Sequence, residues 1–417
     1  MEKFIINGGK KLNGLIEVKG AKNAALKAFA AALLTTQPVI LKNVPEVEDI
    51  KRMAELVKSL GVEVKHIRDG EYKIIAKKIS THLLNPEIAK KLRASVVLTA
   101  PLLVRTGKVK FPHPGGCVIG KRPIDVFIDG YIALGAKISY KNGLYGISTQ
   151  KLKGSKFIFP NISVTGTEAL IMTASMAEGE TFLKNCACEP EVESLANFLN
   201  SQGAKITGAG TPNIRVRGVK RLRGGVYETI PDRIEAGSLA ILATATRSRI
   251  KITKCNPEHL DSLWSLLNKA GVKVKINKSS VEVLPASILK SVNIKTREYP
   301  GFPTDLQAPL CVLLTQAEGQ ALVHETIYEG RLNWTEELKR MGASILSLDP
   351  HRIEIRGPTE LKGREIESPD LRAGMAYIIA ALCAKGHSTI NNIYQIDRGY
   401  EKIEVRLQKI GADIKRV

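Results

Sequence analysis

Aromatic residues are scarce in this chain, at 5% of the sequence. Proteins that hold single-stranded nucleic acid stack bases on aromatic side chains, so the shortage weighs against that class. Long apolar runs are also missing. The longest, Ala94 to Val104 and Ala373 to Ala384, stop well short of the roughly 18 residues that a membrane-spanning helix needs. The first residues, Met1 to Gly9, hold no apolar core of the secretory kind. A cytoplasmic protein with no membrane partner is the expectation. Cysteine is sparse and badly spaced for metal. None of Cys117, Cys186, Cys188, Cys255, Cys311 and Cys383 forms a C-x-x-C pair, and no H-E-x-x-H pattern occurs among the seven histidines. Cys255, Cys311 and Cys383 lie in or beside apolar runs and read as core thiols. Neither a disulfide, a protein-bound metal nor a cofactor is expected.

Acidic residues are the last shortage: 41 stand against 62 basic ones, for a formal net charge of +21. Such an excess suits an anionic partner. Most of it is lysine scattered along outer helices and hairpins, which a solvated surface explains equally well. What the chain does have is length, 417 residues, enough for two domains of about 200 residues each.

It also has an internal repeat. A helical pattern ends in glycine and a small strand at Leu60-Gly61-Val62, Leu134-Gly135-Ala136, Gln202-Gly203-Ala204, Ala270-Gly271-Val272, Met341-Gly342-Ala343 and Ile410-Gly411-Ala412, about every 70 residues. Glycine there supplies the left-handed cap that stops each helix. Ala-rich runs begin near Lys22, Arg93, Gly166, Ile234, Asp305 and Leu371 with the same period. Apolar on nearly all faces, runs such as Asn23 to Leu34, Ala94 to Val104 and Arg372 to Ala384 should be buried helices. Asp49 to Leu60, Glu191 to Asn200 and Tyr400 to Ile410 carry apolar residues at helical spacing and should be outer helices. Strand patterns fill the gaps, often with an LxG turn, as at Leu12-Asn13-Gly14, Leu152-Lys153-Gly154, Leu222-Arg223-Gly224 and Leu361-Lys362-Gly363.

The sixth unit is cut, with its helix and first strand closing the chain while the matching hairpin, Phe4 to Val18, opens it. The N-terminal strands should therefore pair with the C-terminus. The expected fold is α/β: residues 22–230 form one domain of three repeats, and 1–21 with 231–417 form a second, discontinuous one. Two chain crossings between domains suit hinge closure over a ligand held in the cleft.

Equivalent positions in a repeat tend to face one place. Lys22, Arg93, Asp305 and Arg372 stand at or beside the first turn of buried helices, and Arg122, Arg331 and Arg398 stand in loops before outer ones. Helix N-termini flanked by Lys and Arg make anion sites, and arginine grips carboxylates and phosphates by paired hydrogen bonds. Any one such arginine can also be an ordinary surface residue. Asp305 is the acid of the set; it is either a helix cap or a general base toward a hydroxyl. Asp232 and Asp370 read as hinge or salt-bridge residues. The stretch Pro112 to Pro123 is a glycine- and proline-rich loop, with Lys121 and Arg122 close enough to stabilise a Cys117 thiolate. A mobile loop with a reactive side chain is what an active-site lid needs.

These motifs resemble one family, the enolpyruvyl transferases that act on UDP-N-acetylglucosamine. The resemblance runs from Gly20-Ala21-Lys22-Asn23-Ala24-Ala25 to Ile396-Asp397-Arg398-Gly399-Tyr400-Glu401. Between them lie Pro114-Gly115-Gly116-Cys117, Arg122-Pro123, Glu189-Pro190-Glu191, Pro231-Asp232-Arg233-Ile234-Glu235, Phe302-Pro303-Thr304-Asp305 and Asp370-Leu371-Arg372. The resemblance implies two inside-out barrel domains of three units each, with phosphoenolpyruvate and UDP-N-acetylglucosamine as partners and no nucleic acid. It implies addition of the sugar 3′-hydroxyl to phosphoenolpyruvate and loss of phosphate, the committing step of peptidoglycan synthesis. Cys117, Asp305, Lys22 and Arg398 would be catalytic. Lys22, Asn23, Arg122, Arg331, Arg372 and Arg398 would hold phosphoenolpyruvate. Asn23, Arg93, Arg122, Pro123, Ile124, Asp125, Val126, Ser163, Val164, Glu189, Asp305 and Ile327 would hold the sugar nucleotide. A monomer is expected. Three positions depart from the family pattern: Phe127, Thr165 and Gly330. The rivals are a shikimate-pathway enolpyruvyl transferase, an RNA-binding or RNA-end-processing protein, and a purely structural repeat protein.

Overall fold

The computed structural model describes residues 2–115 and 123–417. The chain divides into two compact units, a first of residues 20–115 and 123–230 and a second of residues 2–19 and 231–417. In the first unit the helices run α1 (Lys22–Ala31), α2 (Glu48–Ser59), α3 (Thr99–Thr106), α4 (Asp125–Ala133), α5 (Val164–Ala174) and α6 (Pro190–Ser201). In the second they run α7 (Arg233–Ala245), α8 (Asp261–Lys269), α9 (Gln307–Thr315), α10 (Thr335–Arg340), α11 (Leu371–Cys383) and α12 (Ile403–Gln408).

The Ala-rich runs are inside, as their all-round apolarity requires. Only Arg233 of α7 escapes full burial, and every residue of α9 is buried. Helices α7, α9 and α11 pack against one another in the middle of the second unit, and α1, α3, α5 and α6 do so in the first. Sheets cover them. The first unit has the strand orders 225–228, 39–42, 71–75, 63–68; then 205–207, 213–217, 180–184, 156–158; then 108–112, 144–148, 137–141. Three four-stranded sheets cover the second unit. The outer face of each sheet meets water and the inner face meets helix, which is the inside-out α/β arrangement that the family resemblance implies.

All six helix-ending glycines have the left-handed backbone expected, with φ from 82° at Gly61 to 106° at Gly342. The LxG segments behave differently from the expectation of a turn. Each leads a strand that joins a neighbouring sheet as its parallel edge: Lys156–Ile158 beside Glu180–Lys184, Gly225–Glu228 beside Val39–Lys42, and Glu365–Glu367 beside His387–Asn391. A Cβ on Gly154 would stand 2.2 Å from the Glu180 carbonyl oxygen, and one on Gly363 would stand 2.2 Å from that of His387. Glycine is needed because two backbones meet there.

The same device corrects the reading of the N-terminus. Phe4–Asn7 does pair antiparallel with both His387–Asn391 and the last strand, Asp413–Arg416. Asn13–Glu17, which follows Leu12, instead pairs parallel with Arg249–Thr253 in another sheet, so the two strands make no hairpin. Two runs also begin later than expected as α-helix. Arg93–Leu98 and Thr304–Leu306 are 3-10 turns, and the α-helices after them carry Pro101 and Pro309 at their third positions. Proline has no N–H for the preceding turn, so the α-helix restarts beside it. The run from Tyr400 becomes helix only at Ile403, after Lys402 takes a left-handed backbone.

Candidate functional site

In the second unit, Asp305 lies in the 3-10 turn before α9, Arg331 in the segment before α10, and Arg372 in the first turn of α11. Three distant parts of the chain converge there. The Asp305 carboxylate accepts from Arg331 Nη2 at 2.9 Å through Oδ1, and from Arg372 Nε at 3.0 Å and Nη2 at 2.8 Å through Oδ2. Both guanidiniums are about 5% exposed, while the Asp305 side chain is 27% exposed. Burial alone would push the carboxyl up. The Arg372 and Arg331 charges outweigh it and hold Asp305 well below the usual carboxylate range. Burial would likewise pull both arginines down, and Asp305 more than offsets it, so both stay charged.

Asp305 is therefore not the helix cap that remained open from sequence; no side chain caps that turn, and its carboxylate is spent on the two arginines. The caps are Asp232 and Asp370, which sequence left as hinge or salt-bridge residues. Asp232 Oδ1 accepts from the amides of Ile234 and Glu235, and Asp370 Oδ1 from those of Arg372 and Ala373. Arg398 is buried and donates to Gln395 Oε1 at 3.0 Å. Ile327 is fixed through its amide, which donates to Glu325 Oε1 at 2.8 Å.

In the first unit, Lys22 opens α1 and pairs with Asp49 of α2 at 2.8 Å, both buried. Asn23 is half-buried beside it. Arg93 Nη1 donates to the Pro114 carbonyl at 3.2 Å and Nη2 to the Pro123 carbonyl at 3.1 Å. Pro114 and Pro123 flank the cysteine loop, so Arg93 ties its two roots together. Gly115 lies so close to Lys90 that a Cβ would stand 1.8 Å from the Lys90 carbonyl oxygen. Cys117, Lys121 and Arg122 lie outside the described residues. Ile124, Asp125 and Val126 form the start of α4, with Ile124 buried and Pro123 and Asp125 exposed. Ser163 caps α5, its Oγ accepting from the Gly166 amide at 3.1 Å, and Val164 follows as the first helical residue. Glu189 is buried at the N-terminus of α6. Of the departures, Phe127 is core of this unit, Thr165 lies in the first turn of α5, and Gly330 precedes Arg331.

Sequence reasoning missed several partners. Tyr400 is fully buried, with its hydroxyl 3.2 Å from Arg372 Nη1 and 3.1 Å from Ser238 Oγ. Glu325, also fully buried, accepts from Thr304 Oγ1 at 2.8 Å and from the amides of Ile327 and Tyr328. It thus connects the turn carrying Asp305 to the segment leading to Arg331. Lys27 and Glu168 pair inside the first unit. A charged residue within an otherwise apolar helix was the available signal for Lys27 and Glu168; Glu325 gave none.

The comparisons with known proteins fall where this geometry points. A family profile described as EPSP synthase (3-phosphoshikimate 1-carboxyvinyltransferase) matches residues 6–407. The chain belongs to this enolpyruvyl transferase family. Within the family it is 45% identical to a UDP-N-acetylglucosamine 1-carboxyvinyltransferase of Koribacter versatilis, over 100% of this chain and 97% of that one. It is 44% identical to the protein of that name from Coxiella burnetii, over 100% and 96%. Among solved structures, the enolpyruvyl transferase NikO from Streptomyces tendae superposes with a TM-score of 0.90 at 22% identity, covering 100% of this chain and 99% of that one. An EPSP synthase from Acinetobacter baumannii superposes with a TM-score of 0.76 at 19% identity, covering both chains fully. The enolpyruvyl transferase fold is thereby shown.

Proposed function

We propose that this chain transfers the enolpyruvyl group of phosphoenolpyruvate to the 3′-hydroxyl of UDP-N-acetylglucosamine, releasing phosphate. The observation that carries this is Asp305 held between two buried arginines. Two guanidiniums converging on one carboxylate make a ready carboxylate site. Asp305 engages both guanidiniums, and the carboxylate of phosphoenolpyruvate would take its place on Arg331 and Arg372. Asp305, relieved of its two ion pairs, then becomes basic enough to accept a proton. In its paired state it is a poor base, so binding of the anion arms the group that the next step needs.

The chemistry follows in balanced steps. The sugar hydroxyl oxygen bonds to C2 of phosphoenolpyruvate and gives its proton to Asp305, while C3 gains a proton from Cys117. The tetrahedral product then returns a proton from C3 to the Cys117 thiolate, the bond from C2 to the phosphate oxygen breaks, and phosphate leaves. Lys22, Arg122 and Arg398 would hold the phosphate, and preorganised charge of this kind stabilises the departing anion. Asn23, Arg93, Arg122, Ser163, Val164, Glu189 and Ile327, with 123–126, would hold the sugar nucleotide. This reaction would supply peptidoglycan precursors in the cytoplasm, from a monomeric enzyme.

The family profile's own description favours a second acceptor, shikimate 3-phosphate. The relatives that are 44–45% identical over the whole chain favour UDP-N-acetylglucosamine. Phosphate release from phosphoenolpyruvate, measured with each acceptor, decides between them. Release with the sugar nucleotide alone is expected; release with shikimate 3-phosphate alone would overturn the assignment.

A further inference from the structure

Arg416, the last residue but one, takes no part in the reaction above, yet all three of its guanidinium nitrogens donate. Nη1 and Nη2 grip Asp397, at 2.9 Å to Oδ2 and 2.6 Å to Oδ1. Nε donates to Glu404 Oε1 at 2.8 Å, and Nη1 also reaches Glu2 Oε2 at 2.8 Å. The group lies over the Phe4 ring, 5.1 Å from its centroid. The repeat does not require an arginine here. Five residues beyond the six helix-ending glycines stand His66, Tyr140, Gly208, Ile276, Ser347 and Arg416. Nor does the strand need one to stay in its sheet. Asp413–Arg416 is already paired along its length with Phe4–Asn7, and Lys3 and Val417 exchange backbone hydrogen bonds at 2.8 and 3.0 Å. Ion pairs that keep some exposure, as this arginine does at 25%, add little to stability.

What the pairs do is reach across to the turn that carries Arg398. Asp397 is the last residue of the short helix Tyr394–Asp397, and Arg398 follows it directly. The Arg398 amide donates to the Tyr394 carbonyl at 3.2 Å and its Nη1 to Gln395 Oε1 at 3.0 Å, so its backbone and side chain are both placed by this helix. A helix of one turn makes too few internal hydrogen bonds to hold its own orientation. Close packing on α11 fixes its inner side. A Cβ on Gly374 would stand 2.5 Å from Ile396 Cγ1, and one on Gly399 would stand 2.6 Å from Leu371 Cδ1. Its outer side is fixed by Asp397, whose two oxygens are both held by Arg416.

We propose that Arg416 is a positioning residue for Arg398, acting through Asp397, and that it sets how well the phosphate of phosphoenolpyruvate is held. This rests on the functional reading above, in which Arg398 holds that phosphate. Paired hydrogen bonds fix direction as well as distance. The two-pronged grip on Asp397 therefore sets the rotation of the helix end, and with it the line along which the Arg398 guanidinium projects. Without Arg416, Asp397 and Glu404 lose the cation they share and repel each other, and the turn shifts. A displacement of about 1 Å in a group that positions a reacting substrate can cost roughly a hundredfold in rate. The sugar nucleotide, which the same reading places on other residues, should not feel the change.

The test is kcat and KM for each substrate, read beside the thermal midpoint of each variant. Arg416→Gln should lower kcat/KM for phosphoenolpyruvate by about ten- to a hundredfold, with KM for UDP-N-acetylglucosamine unchanged. Arg416→Lys keeps the charge but not the paired bonds and should recover only part of the loss. Adding Arg416→Gln to Arg398→Lys should cause little further loss, because residues that act through one another are not additive. Equal rises in both KM values, or full multiplication of the two losses in the double variant, would overturn the proposal. Should Arg416→Gln fail to fold, Asp397→Asn leaves Arg416 its bonds to Glu404 and Glu2 and should show the same one-sided loss; native kinetics there would overturn the proposal too. If Arg398→Lys itself turns over normally, the reading of Arg398 fails. If it is impaired while Arg416→Gln is normal, the positioning role alone fails.

Discussion

The two units each hold a carboxyl against buried cationic side chains, and the two carboxyls are driven in opposite directions. Asp305 has two guanidiniums around it and is held far below its ordinary range. Glu168 has one ammonium and two further carboxyls and is raised to about 7. Burial pushes both up by the same physics, so the count of neighbouring charges decides the outcome. The second unit brings two guanidiniums onto one carboxylate, which suits a small anion, while Asp370 and Asp232 support their charged forms from further off. The first ends with surplus carboxyl, which leaves one group able to change charge near neutrality. A shared fold thus supplies two electrostatic environments.

The largest effect should come from removing the acid of the positive cluster. Asp305→Ala leaves two buried guanidiniums facing each other, which costs roughly 3–5 kcal/mol, with the lower end expected because the Asp305 side chain is 27% exposed. Urea denaturation measures the loss. Turnover should fall at least about a hundredfold, the usual scale for a missing proton acceptor, while sugar nucleotide still binds. Normal turnover would remove Asp305 from the mechanism.

The pH dependence of stability sharpens the contrast. Asp305 is depressed, so its contribution is present above the ordinary aspartate value of 3.8 and lost as pH falls below it. Glu168 is raised, so its contribution is complete below 4.5 and lost as pH rises through about 7. The stability of the native protein relative to Glu168→Gln should therefore drop by about 2–3 kcal/mol between pH 5 and pH 8. An unchanging difference would mean that Glu168 ionises normally.

Glu325 tests whether the positive cluster depends on its surroundings. Its carboxylate holds Thr304 and the amides of Ile327 and Tyr328. Glu325→Ala should destabilise by about 2 kcal/mol and raise KM for both substrates. Glu325→Gln, which keeps one accepting oxygen, should recover part of the loss. An alanine variant with normal KM values would separate Glu325 from the site.

Much of this was open to a reader of the sequence, and the reasons are physical. Helices that are apolar all round must be covered, and glycine must stand where six helices end left-handed, so the repeat was visible. Lys22 and Arg372 stood out because they recur at the first turn of buried helices, and Arg331 because it stands in the loop before an outer one. The pairing of Asn13–Glu17 was not, because its partner strand lies more than 230 residues away and a parallel edge leaves no local signature. The partners of the site residues were hidden for the same reason. Asp49, Glu325 and Tyr400 are ordinary residue types whose roles arise only when distant segments pack. Asp370 was misread because an acid next to an arginine in sequence suggests an ion pair, whereas the helix start claims its carboxylate for backbone amides.

That last misreading yields the smallest and cleanest test. Asp370 caps α11 by accepting from the Arg372 and Ala373 amides at 2.7 and 3.1 Å. Its charge also acts on Arg331 through space, supporting the charged form. The two roles separate by substitution. Asp370→Ala removes both and should cost about 1 kcal/mol, the usual loss for an N-cap. Asparagine caps as well as aspartate does, so Asp370→Asn should restore stability. What it cannot restore is the negative charge beside Arg331, and with less competition for that guanidinium the KM for phosphoenolpyruvate should fall slightly. In the first unit the corresponding cap of α5 is the neutral Ser163, so no such split is available there. If Asp370→Asn is as unstable as Asp370→Ala, the acid serves the arginines rather than the helix, and the salt-bridge reading from sequence returns.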